Sequence, residues 1–532
     1  MYLRKVSRHN TDGSTVSYLQ IAENLWDKEK RRSRVRVICT LGRAEERAVE
    51  RLRQLVQSIR RQSPEYGVEL EEGWKFENSW EHGGFYVVGK LWESLEIRQI
   101  VERAAKKEER RTPLERAVFA MVANRCLAPR SKLGCYERWM REDVYFPEAQ
   151  AIGLHHLYRA MDFLAEHKGE IEEVLYWRLA DLLSLDVDLI FYDTTSIHFE
   201  VEGEDEELRR RGYSKDKRFD SPQVIVGMAV TREGYPVKSW VFPGNRADVT
   251  TIEEVKSELR GWRLNRCIFV TDAGMVSEEN LARLRRGGGR YIVAMPCRKG
   301  TEVRNEVLFH PGRYEKLRDN LEVKEVQVSG RRYVVCYNPL EAERQRKHRE
   351  EVLQELKEEL RSLKAHPKRA CQLISSRRYG PYLRRLKSGE LRLSKRAIRE
   401  KERRDGLWVI HTNDEELSAE DLALAYKQLV RVEETWKTMK SVIEIRPVFH
   451  RTEGRIKAHV FLCVLALLLE RVAERECEST WPWIREQLRS IKIAQLLTPK
   501  GTLYQTTAGH TEARNILKKL KIEPLPEVLR VE

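Results

Sequence analysis

Paired cysteine motifs are missing from this sequence of 532 residues. Its nine cysteines are odd in number, and no two of them are spaced as C-x-x-C. This pattern argues against a disulfide framework and against a zinc finger, and it indicates a reducing compartment.

Long apolar runs are also missing. The longest, Val460 to Leu469, has ten residues and lies between charged segments. It has about half the length needed to cross a bilayer, so we interpret it as a buried helix. The opening MYLRKVSRHNTDG lacks the apolar region of a signal peptide. We therefore expect a cytoplasmic protein with no membrane partner.

Acidic residues are fewer than basic ones, with 83 Asp and Glu against 98 Lys and Arg and a net charge of +15. Such an excess favours a polyanionic partner, most often nucleic acid. The alternative is a basic but otherwise ordinary intracellular protein. The length favours two to four domains.

The middle of the chain carries five segments typical of buried strands. They are VDLIFYD (187–193), QVIVGMAV (223–230), YPVKSWVF (235–242), CIFVTD (267–272) and RYIVAMP (290–296). Helical segments precede the last two strands, and the first of these helices begins at Thr250 and Thr251, each followed three residues later by a glutamate. This order predicts a ribonuclease-H-like α/β core, although several α/β folds begin in the same way.

We predict six segments from the changes in pattern along the chain. They are an N-terminal β/helical segment (1–75), a helical DNA-end-binding domain (76–182), the first part of the core (183–296), a mixed β/helical insertion (297–405), the second part of the core (406–475) and a helical tail (476–532).

Two segments carry basic residues that suit DNA. Residues 341–405 hold an excess of ten positive charges around an apolar helical stripe from Val352 to Leu363. We interpret this segment as a packed helix with a phosphate-facing surface, the alternative being an ordinary solvated face. The piece PRSKLGCYERWM (129–140) is either a short basic helix against DNA or a packed helix of an all-α domain.

Two aspartates stand where strands of the predicted core end. Asp193 closes the first strand and Asp272 the fourth. These two strands are neighbours in a ribonuclease-H-like sheet, so we expect both acids at one edge. Phosphoryl transfer on DNA needs divalent ions held by a few carboxylates, as Mg²⁺ prefers. The alternative for each acid is the capping of a turn.

A third acid stands on a helix that we predict from Ser418 to about Ile445. Tyr426, Glu433 and Lys440 follow one another at seven-residue spacing, which places them on one helix face. An acid for metal, a lysine for phosphate and a tyrosine for stacking or phosphate contact would suit one site. The alternative is a solvated face.

These motifs resemble those of DDE transposases of bacterial insertion sequences, in the group with a tyrosine–arginine–glutamate–lysine signature and an insertion before the glutamate. The matching stretches are FYDTTSIHFE, GYSKDKRFDSPQVIVGMAV, PVKSWVFPGNRADVTT, FVTDAGM and YKQLVRVEETWKTMKSVIEIRPVFHRTEGRIKAHVFLCVLALLL. The resemblance implies that Asp193, Asp272 and Glu433 are the catalytic, metal-binding acids. It also implies that Tyr426 and Lys440 are the signature residues that contact DNA.

The signature arginine has no counterpart at its expected place. That position is Leu429, and Arg431 is the nearby candidate, with Lys437 as a further basic residue toward DNA. Glu434 is the rival for the third acid, one residue out of register. Trp408 is a candidate for holding a flipped base, against its interpretation as a core tryptophan on a strand.

The resemblance also implies cofactors and partners. We expect two Mg²⁺ ions per active site, with Mn²⁺ able to substitute, and double-stranded DNA carrying terminal inverted repeats or a target sequence. We further expect a homodimer on paired ends, associated with the bacterial nucleoid. The alternatives are a metal-dependent nuclease of the same fold without strand transfer, and a DNA-binding relative without catalysis.

Overall fold

The computed structural model describes most of the chain. The described residues are 2–9, 15–27, 32–44, 74–107, 113–183, 188–200, 203–205, 207–214, 218, 220–264, 267–296, 303–363 and 369–531. They form two compact units, one made of 1–78, 495–504 and 530–532 and the other of 79–494 and 505–529. No helix in these described ranges is long and apolar enough to cross a membrane.

The first unit contains a three-stranded antiparallel sheet of order β1-β2-β3. Its strands are β1 (Tyr2–His9), β2 (Thr15–Asp27) and β3 (Arg32–Arg43). Two strands of the predicted N-terminal β/helical segment (1–75) are β2 and β3, which confirms its β part. Residues 45–73 of that segment lie outside the described residues.

Strand β4 (Lys75–Glu81) is followed by a helical region, as the sequence predicts. Its helices are α1 (Gly83–Ser94), α2 (Ile97–Ala105), α3 (Leu114–Leu127) and α4 (Leu154–Leu182). Between α3 and α4, a turn at Lys132–Gly134 continues as a π-helical stretch, Cys135–Asp143. Lys132, Trp139 and Met140 are buried, so this piece is a packed element rather than a free basic helix.

Every strand and helix predicted for the first part of the core is present. The elements are β5 (Leu189–His198), β6 (Gln223–Val230), β7 (Pro236–Pro243), α5 (Ile252–Gly261), β8 (Ile268–Thr271), α6 (Glu278–Arg285) and β9 (Tyr291–Met295). The predicted capping box of α5 is wrong. The Thr251 hydroxyl bonds to the Asp248 carbonyl and accepts from the Tyr192 hydroxyl, so it caps no amide.

The predicted insertion combines strands and helices. It contains β10 (Glu315–Arg318), β11 (Leu321–Val328), β12 (Arg331–Tyr337), α7 (Pro339–Ser362), α8 (Ala370–Ser375), β13 (Leu383–Arg385), β14 (Leu391–Leu393) and α9 (Lys395–Glu402). Val352 and Leu356 of α7 are buried against Tyr382, which confirms the packed amphipathic helix. The chain then returns through β15 (Leu407–Thr412).

The rest of the chain mixes helices and strands. Its elements are α10 (Ala419–Lys427), α11 (Val430–Ser441), α12 (Glu453–Cys477), α13 (Trp481–Leu488), β16 (Lys492–Thr498), β17 (Gly501–Thr506), α14 (Thr511–Lys519) and β18 (Val528–Val531). The prediction of a purely helical tail is therefore wrong. Its strands join β4 in a sheet of order β18-β17-β16-β4, and such pairing of distant segments leaves no local pattern.

A nine-stranded mixed sheet of order β10-β11-β12-β15-β9-β8-β5-β6-β7 forms the centre of the second unit. Strands β5, β8 and β9 are parallel, and β6 and β7 are antiparallel to their neighbours. Strands β10, β11 and β12 of the insertion extend this sheet because β12 pairs with β15. The fold is thus α/β, as predicted, with a larger sheet than the sequence indicates.

Helices cover both faces of this sheet. Side chains at alternate positions of β5 enter two different cores: Phe191 and Ile197 face one, and Ile190 and Tyr192 face the other. The first core includes α10, α11 and α12, and the second includes α5 and α6. Every residue of the apolar run in α12 is buried, so the prediction of a buried helix is confirmed.

The helix predicted from Ser418 to about Ile445 is wrong in one respect, because it is two helices. Ser418 caps α10 by accepting the Asp421 amide, as predicted. The chain then tightens, since Leu429 N donates to Tyr426 O and Val432 N donates to Leu429 O, both three residues back. This turn lets α10 pack against β9, β11 and β12 while α11 packs against β5 and β6.

Candidate functional site

The register of β5 and β8 brings two of the predicted acids together. Phe191 of β5 pairs with Val270 of β8 in parallel, so two residues further along Asp193 lies beside Asp272. Neighbouring strands lie about 4.8 Å apart, and residues two apart share a face. Both aspartates therefore lie on the face to which Phe191 and Val270 contribute.

Asp193 does not end its strand, contrary to the prediction. Strand β5 continues to His198, and Asp193 pairs with Met228 of β6 in the middle of it. The β-branched residues Thr194, Thr195 and Ile197 favour extended backbone, and β6 offers partners as far as Gln223. Asp272, in contrast, immediately follows β8 and begins a short 3₁₀ turn.

Glu433 reaches the same face from α11. Val432, Trp436 and Met439 of this helix are buried in the core beneath it, whereas Glu433 is exposed in the first turn. Partial desolvation and the negative charges of Asp193 and Asp272 raise the pKa of Glu433. Three carboxylates from three elements thus influence one another, and we call Asp193, Asp272 and Glu433 the acidic edge.

The hydroxyl of Tyr426 donates a hydrogen bond to Oδ1 of Asp272, at 3.1 Å. Desolvation, the charge of Asp272 and this hydrogen bond raise the pKa of Tyr426, so the phenol stays protonated and remains a donor. Tyr426 and Glu433 stand on different helices, but the bend between these helices keeps them near each other, since Glu433 also raises the pKa of Tyr426. The sequence indicated a shared face and missed the hydrogen bond to Asp272.

Two adjacent glutamates of α11 have different neighbours. Glu434 forms an exposed ion pair with Arg431, Oε2 to Nη1 at 3.2 Å. Desolvation and the charges of both aspartates raise the pKa of Glu433, which places its carboxyl near them. Geometry therefore favours Glu433 over its rival, and Arg431 is engaged with Glu434 on the exposed side of the helix.

The predicted DNA-contacting lysines lie on the same helix. Lys440 is seven residues after Glu433 within α11 and is half-buried, and Lys437 is exposed. Both remain predictions as DNA contacts.

Trp408 lies within the sheet. It is half-buried on β15, opposite Cys336 of β12, and packs against the large core. Among the described residues its indole Nε1 has no hydrogen-bond partner, although that atom is buried. This setting favours a core tryptophan over a base-holding one.

Two basic side chains, His198 and Arg446, lie close together beyond Asp193. No residue spacing in the sequence indicated this contact. His198, at the end of β5, lies 3.4 Å (Nδ1) from Nη1 of Arg446, which follows α11. The two residues are 248 positions apart, so only the fold brings them together. His198 is also within 3.4 Å of Glu200.

The acidic edge has the donor chemistry of a hard-cation site. Carboxylate oxygens are the ligands that Mg²⁺ prefers, and Mg²⁺ commonly takes only one or two carboxylates and several waters. In the part of the chain that the structure describes, no three or more His, Cys, Asp or Glu side chains are close enough to hold an ion jointly. The aspartate pair therefore fits such a site better than a closed set of three protein ligands.

Comparison with known proteins identifies the family of this chain. Residues 188–469 match the family described as Transposase DDE domain, and residues 3–72 match the IS1634 family transposase, N-terminal domain. The chain belongs to the DDE transposase domain family, because the first match covers more than half of its length. In particular, the two matches together identify an insertion-sequence DDE transposase.

Among solved structures, one match is a distant likeness. The cryo-EM structure of a piggyBac transposase synaptic complex with hairpin DNA is 9% identical, with a TM-score of 0.35, over 76% of this chain and 80% of that one. No curated protein matches this chain. Transposases act on DNA, and DDE transposase domains generally use divalent metal ions, which defines the class of chemistry.

Proposed function

We propose that this transposase cuts and joins DNA at the acidic edge, with Asp193, Asp272 and Glu433 as its catalytic acids. The observation that carries the proposal is that Asp193 of β5 lies beside Asp272 at the end of β8, with Glu433 of α11 near enough that desolvation and then the charges of the two aspartates raise its pKa. Neighbouring carboxylates repel one another. This repulsion destabilises the folded chain when no ion is bound and favours the binding of a cation.

The sheet supports a ribonuclease-H-like core. Strands β7-β6-β5-β8-β9 are adjacent in that order, with β6 antiparallel to β5 and with β8 and β9 parallel to it. This is the meander of three strands followed by two crossovers on which the sequence prediction rests.

Two successive reactions are expected at one site. In the first, a water oxygen bonds to phosphorus at the transposon end, the bond from phosphorus to the 3′ oxygen breaks, and that oxygen takes a proton. In the second, the freed 3′-OH attacks a target phosphate and displaces the target's 3′ oxygen. Bound divalent ions would activate the attacking oxygen and stabilise the leaving one.

The residues of the acidic edge have separate parts in this scheme. Asp193 and Asp272 would hold the ions from the rigid sheet, and Glu433 would complete the site from α11. Tyr426 would fix the orientation of the Asp272 carboxylate by its hydrogen bond, which leaves the other oxygen of that carboxylate for an ion.

The DNA partner is expected to be the terminal inverted repeats and a target duplex, bound by a homodimer on paired ends. The basic outer surface of the insertion, with its excess of ten charges over 341–405, would lie toward the phosphates. Arg431, Lys437 and Lys440 of α11 are the candidates nearest the acids in sequence.

The test uses single substitutions and a neighbouring control. We expect Asp193→Asn, Asp272→Asn and Glu433→Gln to abolish Mg²⁺-dependent cleavage of a duplex carrying the element's ends, while binding of that duplex persists. Glu434→Gln, one residue away and paired with Arg431, should cut normally. Cutting by all three variants at the wild-type rate would overturn the assignment.

Pre-cut ends separate a transposase reaction from plain nuclease action. Supplied with 3′-OH ends and a target plasmid, the wild type should yield joined product that Asp272→Asn does not. Cleavage without joining would leave a nuclease of the same fold. If the protein's function persists when a chelator removes divalent ions, the result would indicate a DNA-binding protein without catalysis.

A further inference from the structure

A second charged region lies away from the acidic edge, in a cavity of about 390 Å³. It is enclosed by the end of α3, the turn that follows it, and the start of α12. Six of its lining residues are arginine, lysine or histidine: Arg125, Lys132, His450, Arg451, Arg455 and His459. We call this region the basic cavity.

None of the described residues that line the basic cavity carries a carboxylate. The positive charge of Arg455 is neutralised by Asp162, which accepts two hydrogen bonds from it at 2.7 and 2.9 Å. Arg125, Lys132 and Arg451 have no carboxylate partner in the described part of the chain, and Arg125 and Lys132 are only 5% and 4% exposed. Buried cations without counter-charge are costly for a folded protein.

Lys132 is held so that its ammonium faces the cavity. Its Nζ lies 3.3 Å from Nδ1 of His459, whose Nε2 lies 2.8 Å from the carbonyl oxygen of Ile445. The carbonyl can only accept, so Nε2 carries the proton and Nδ1 accepts from Lys132. An ammonium has three donors, and this contact uses one of them.

Arg125 is anchored through neutral groups alone. Its guanidinium donates to the carbonyl oxygens of Glu444 at 3.0 Å and Arg130 at 2.9 Å. Backbone carbonyls satisfy hydrogen-bond donors but leave the net positive charge in place. Its effect is visible in the surroundings, because burial together with Arg125 lowers the pKa of Lys132 to about 7.

The histidines add donors and acceptors rather than charge. Burial and the charges of Lys132, Arg125 and Arg455 lower the pKa of His450 to about 3. Burial, Lys132 and Arg125 lower the pKa of His459 as well. Both rings are therefore neutral at pH 7, so the positive charge of the cavity resides on its arginines and lysine.

The beginning of α12 reinforces this polarity. Thr452 is its N-cap residue, and its side chain makes no capping hydrogen bond. The first turn of this 25-residue helix carries the positive end of the helix dipole, and the acidic residue in that turn, Glu453, is paired with Lys457. Together with Lys132 and Arg451, these groups match an anion with several acceptor oxygens.

One loop connects the basic cavity with the acidic edge. It leaves α11 after Ser441, places Arg446 beside His198 at the end of β5, and supplies His450 and Arg451 to the cavity. A DNA strand that passes the acids and follows this loop would meet the positive charges of Arg446 and Arg451.

We propose that the basic cavity binds a phosphate group of the DNA backbone, at a nucleotide other than the one that is cut. This inference rests on the proposed function for its DNA, although phosphate recognition itself can be tested alone. The phosphate oxygens would accept from Lys132, Arg451 and the first turn of α12 and would supply the counter-charge that the cavity lacks.

The first arm of the test uses inorganic phosphate and no DNA. Phosphate tenfold above its Kd should raise the unfolding midpoint of the wild type by roughly 2 °C over chloride at equal ionic strength. Lys132→Met, which keeps the length of the side chain, and Arg451→Gln should lose most of this shift. Lys90→Met on α1 and Arg103→Gln on α2, both exposed, are the matched controls.

The second arm uses a duplex carrying the element's ends, bound to the full chain in an Asp193→Asn background that should not cut it. Each phosphate contact contributes about 0.9 to the slope of log Kd against log salt concentration. Arg451→Gln should lower that slope by about this amount, and Arg103→Gln should leave it unchanged. Because Arg451 is exposed, this arm decides the matter even where Lys132→Met does not fold.

The outcomes are distinct. Unchanged midpoint shifts and slopes in Arg451→Gln would overturn the inference. A lost phosphate shift with an unchanged DNA slope would make the cavity a site for free phosphate and overturn its assignment to DNA. Cleavage by Asp193→Asn would contradict the proposed function instead, while the phosphate arm would still report on the cavity.

Discussion

The acidic edge brings together carboxylates from β5, the end of β8 and α11, whereas the basic cavity brings together Arg125, Lys132 and Arg451 with no carboxylate among its described lining residues. Desolvation and then the neighbouring charges raise the pKa of Glu433 in the first region and lower that of Lys132 in the second. Both shifts disfavour the charged form of the group concerned. We propose that the two regions suit ligands of opposite charge, a cation in the first and a phosphate in the second.

The two regions differ in exposure, and this difference sets the size of the effects. Asp272 and Glu433 are exposed, so water screens much of their repulsion. Lys132 is almost fully buried, so its charge has a larger effect on stability. Substitutions at the acidic edge should change activity most, and substitutions in the basic cavity should change stability most.

The largest expected effect is the loss of cleavage in Asp272→Asn. Removing one carboxylate that holds a metal ion should raise the barrier by several kcal/mol, and about 4 kcal/mol corresponds to roughly a thousandfold in rate. The same variant should be slightly more stable than the wild type without metal, because a repulsion is removed. Rate measurements in Mg²⁺ and denaturation in chelator check the two halves. A variant that is both inactive and less stable would make Asp272 a structural residue.

The second effect is a gain of stability in Lys132→Met. Replacing a buried charge with an apolar side chain of similar length should stabilise the protein by about 1–4 kcal/mol at pH 7. The folded-state pKa of about 7 lies below the ordinary value of 10.5, so between these values the unfolded chain binds more protons and wild-type stability rises with pH. The advantage of the variant should therefore be greatest at pH 7 and below and should vanish toward pH 10.5. Urea denaturation across this range measures it, and Lys90→Met should show no such trend.

Much of the acidic edge was predictable from sequence, whereas the basic cavity was not. Apolar, β-branched runs indicated β5 and β8, and the acids after them led to Asp193 and Asp272. The heptad from Glu433 to Lys440 stayed on one helix. Arg125 and Lys132 are neighbours in sequence, but Arg451 lies more than 300 residues further along the chain, so no local spacing connects it with them.

The bend between α10 and α11 was also beyond sequence reasoning. Tyr426, Leu429 and Val432 have the spacing of one continuous helix. The chain tightens there because α10 and α11 pack on different strands of a sheet that the insertion widens. The pairing of β12 with β15, which widens it, joins segments separated by helices α7 to α9. Tertiary contact therefore overrode local preference.

The third effect concerns the hydrogen bond from Tyr426 to Asp272. Tyr426→Phe keeps the ring and removes the hydroxyl, so the carboxylate loses one fixed donor. A hydrogen bond to a charged group contributes about 1.5–3 kcal/mol, and we expect kcat to fall about tenfold to a hundredfold with little change in KM for DNA. If Tyr426 instead stacks on or contacts the DNA, KM will rise and kcat will hold, so steady-state kinetics separate positioning from binding.

The smallest effect compares the two adjacent glutamates of α11 by pH. A carboxyl whose folded-state pKa is raised binds more protons when folded than when unfolded, so its contribution to stability is lost as pH rises from about 4.5 through the raised pKa. Glu433→Gln should remove this decline and be relatively more stable at pH 7 than at pH 4. Glu434→Gln should instead lose a weak surface ion pair with Arg431 and show no such gain. Because Glu433 is exposed, the difference should be small, and urea denaturation of both variants at the two pH values measures it. If the stability of the two variants depends on pH in the same way, the charges of Asp193 and Asp272 do not affect the Glu433 carboxyl. The acidic edge would then consist of Asp193 and Asp272 only.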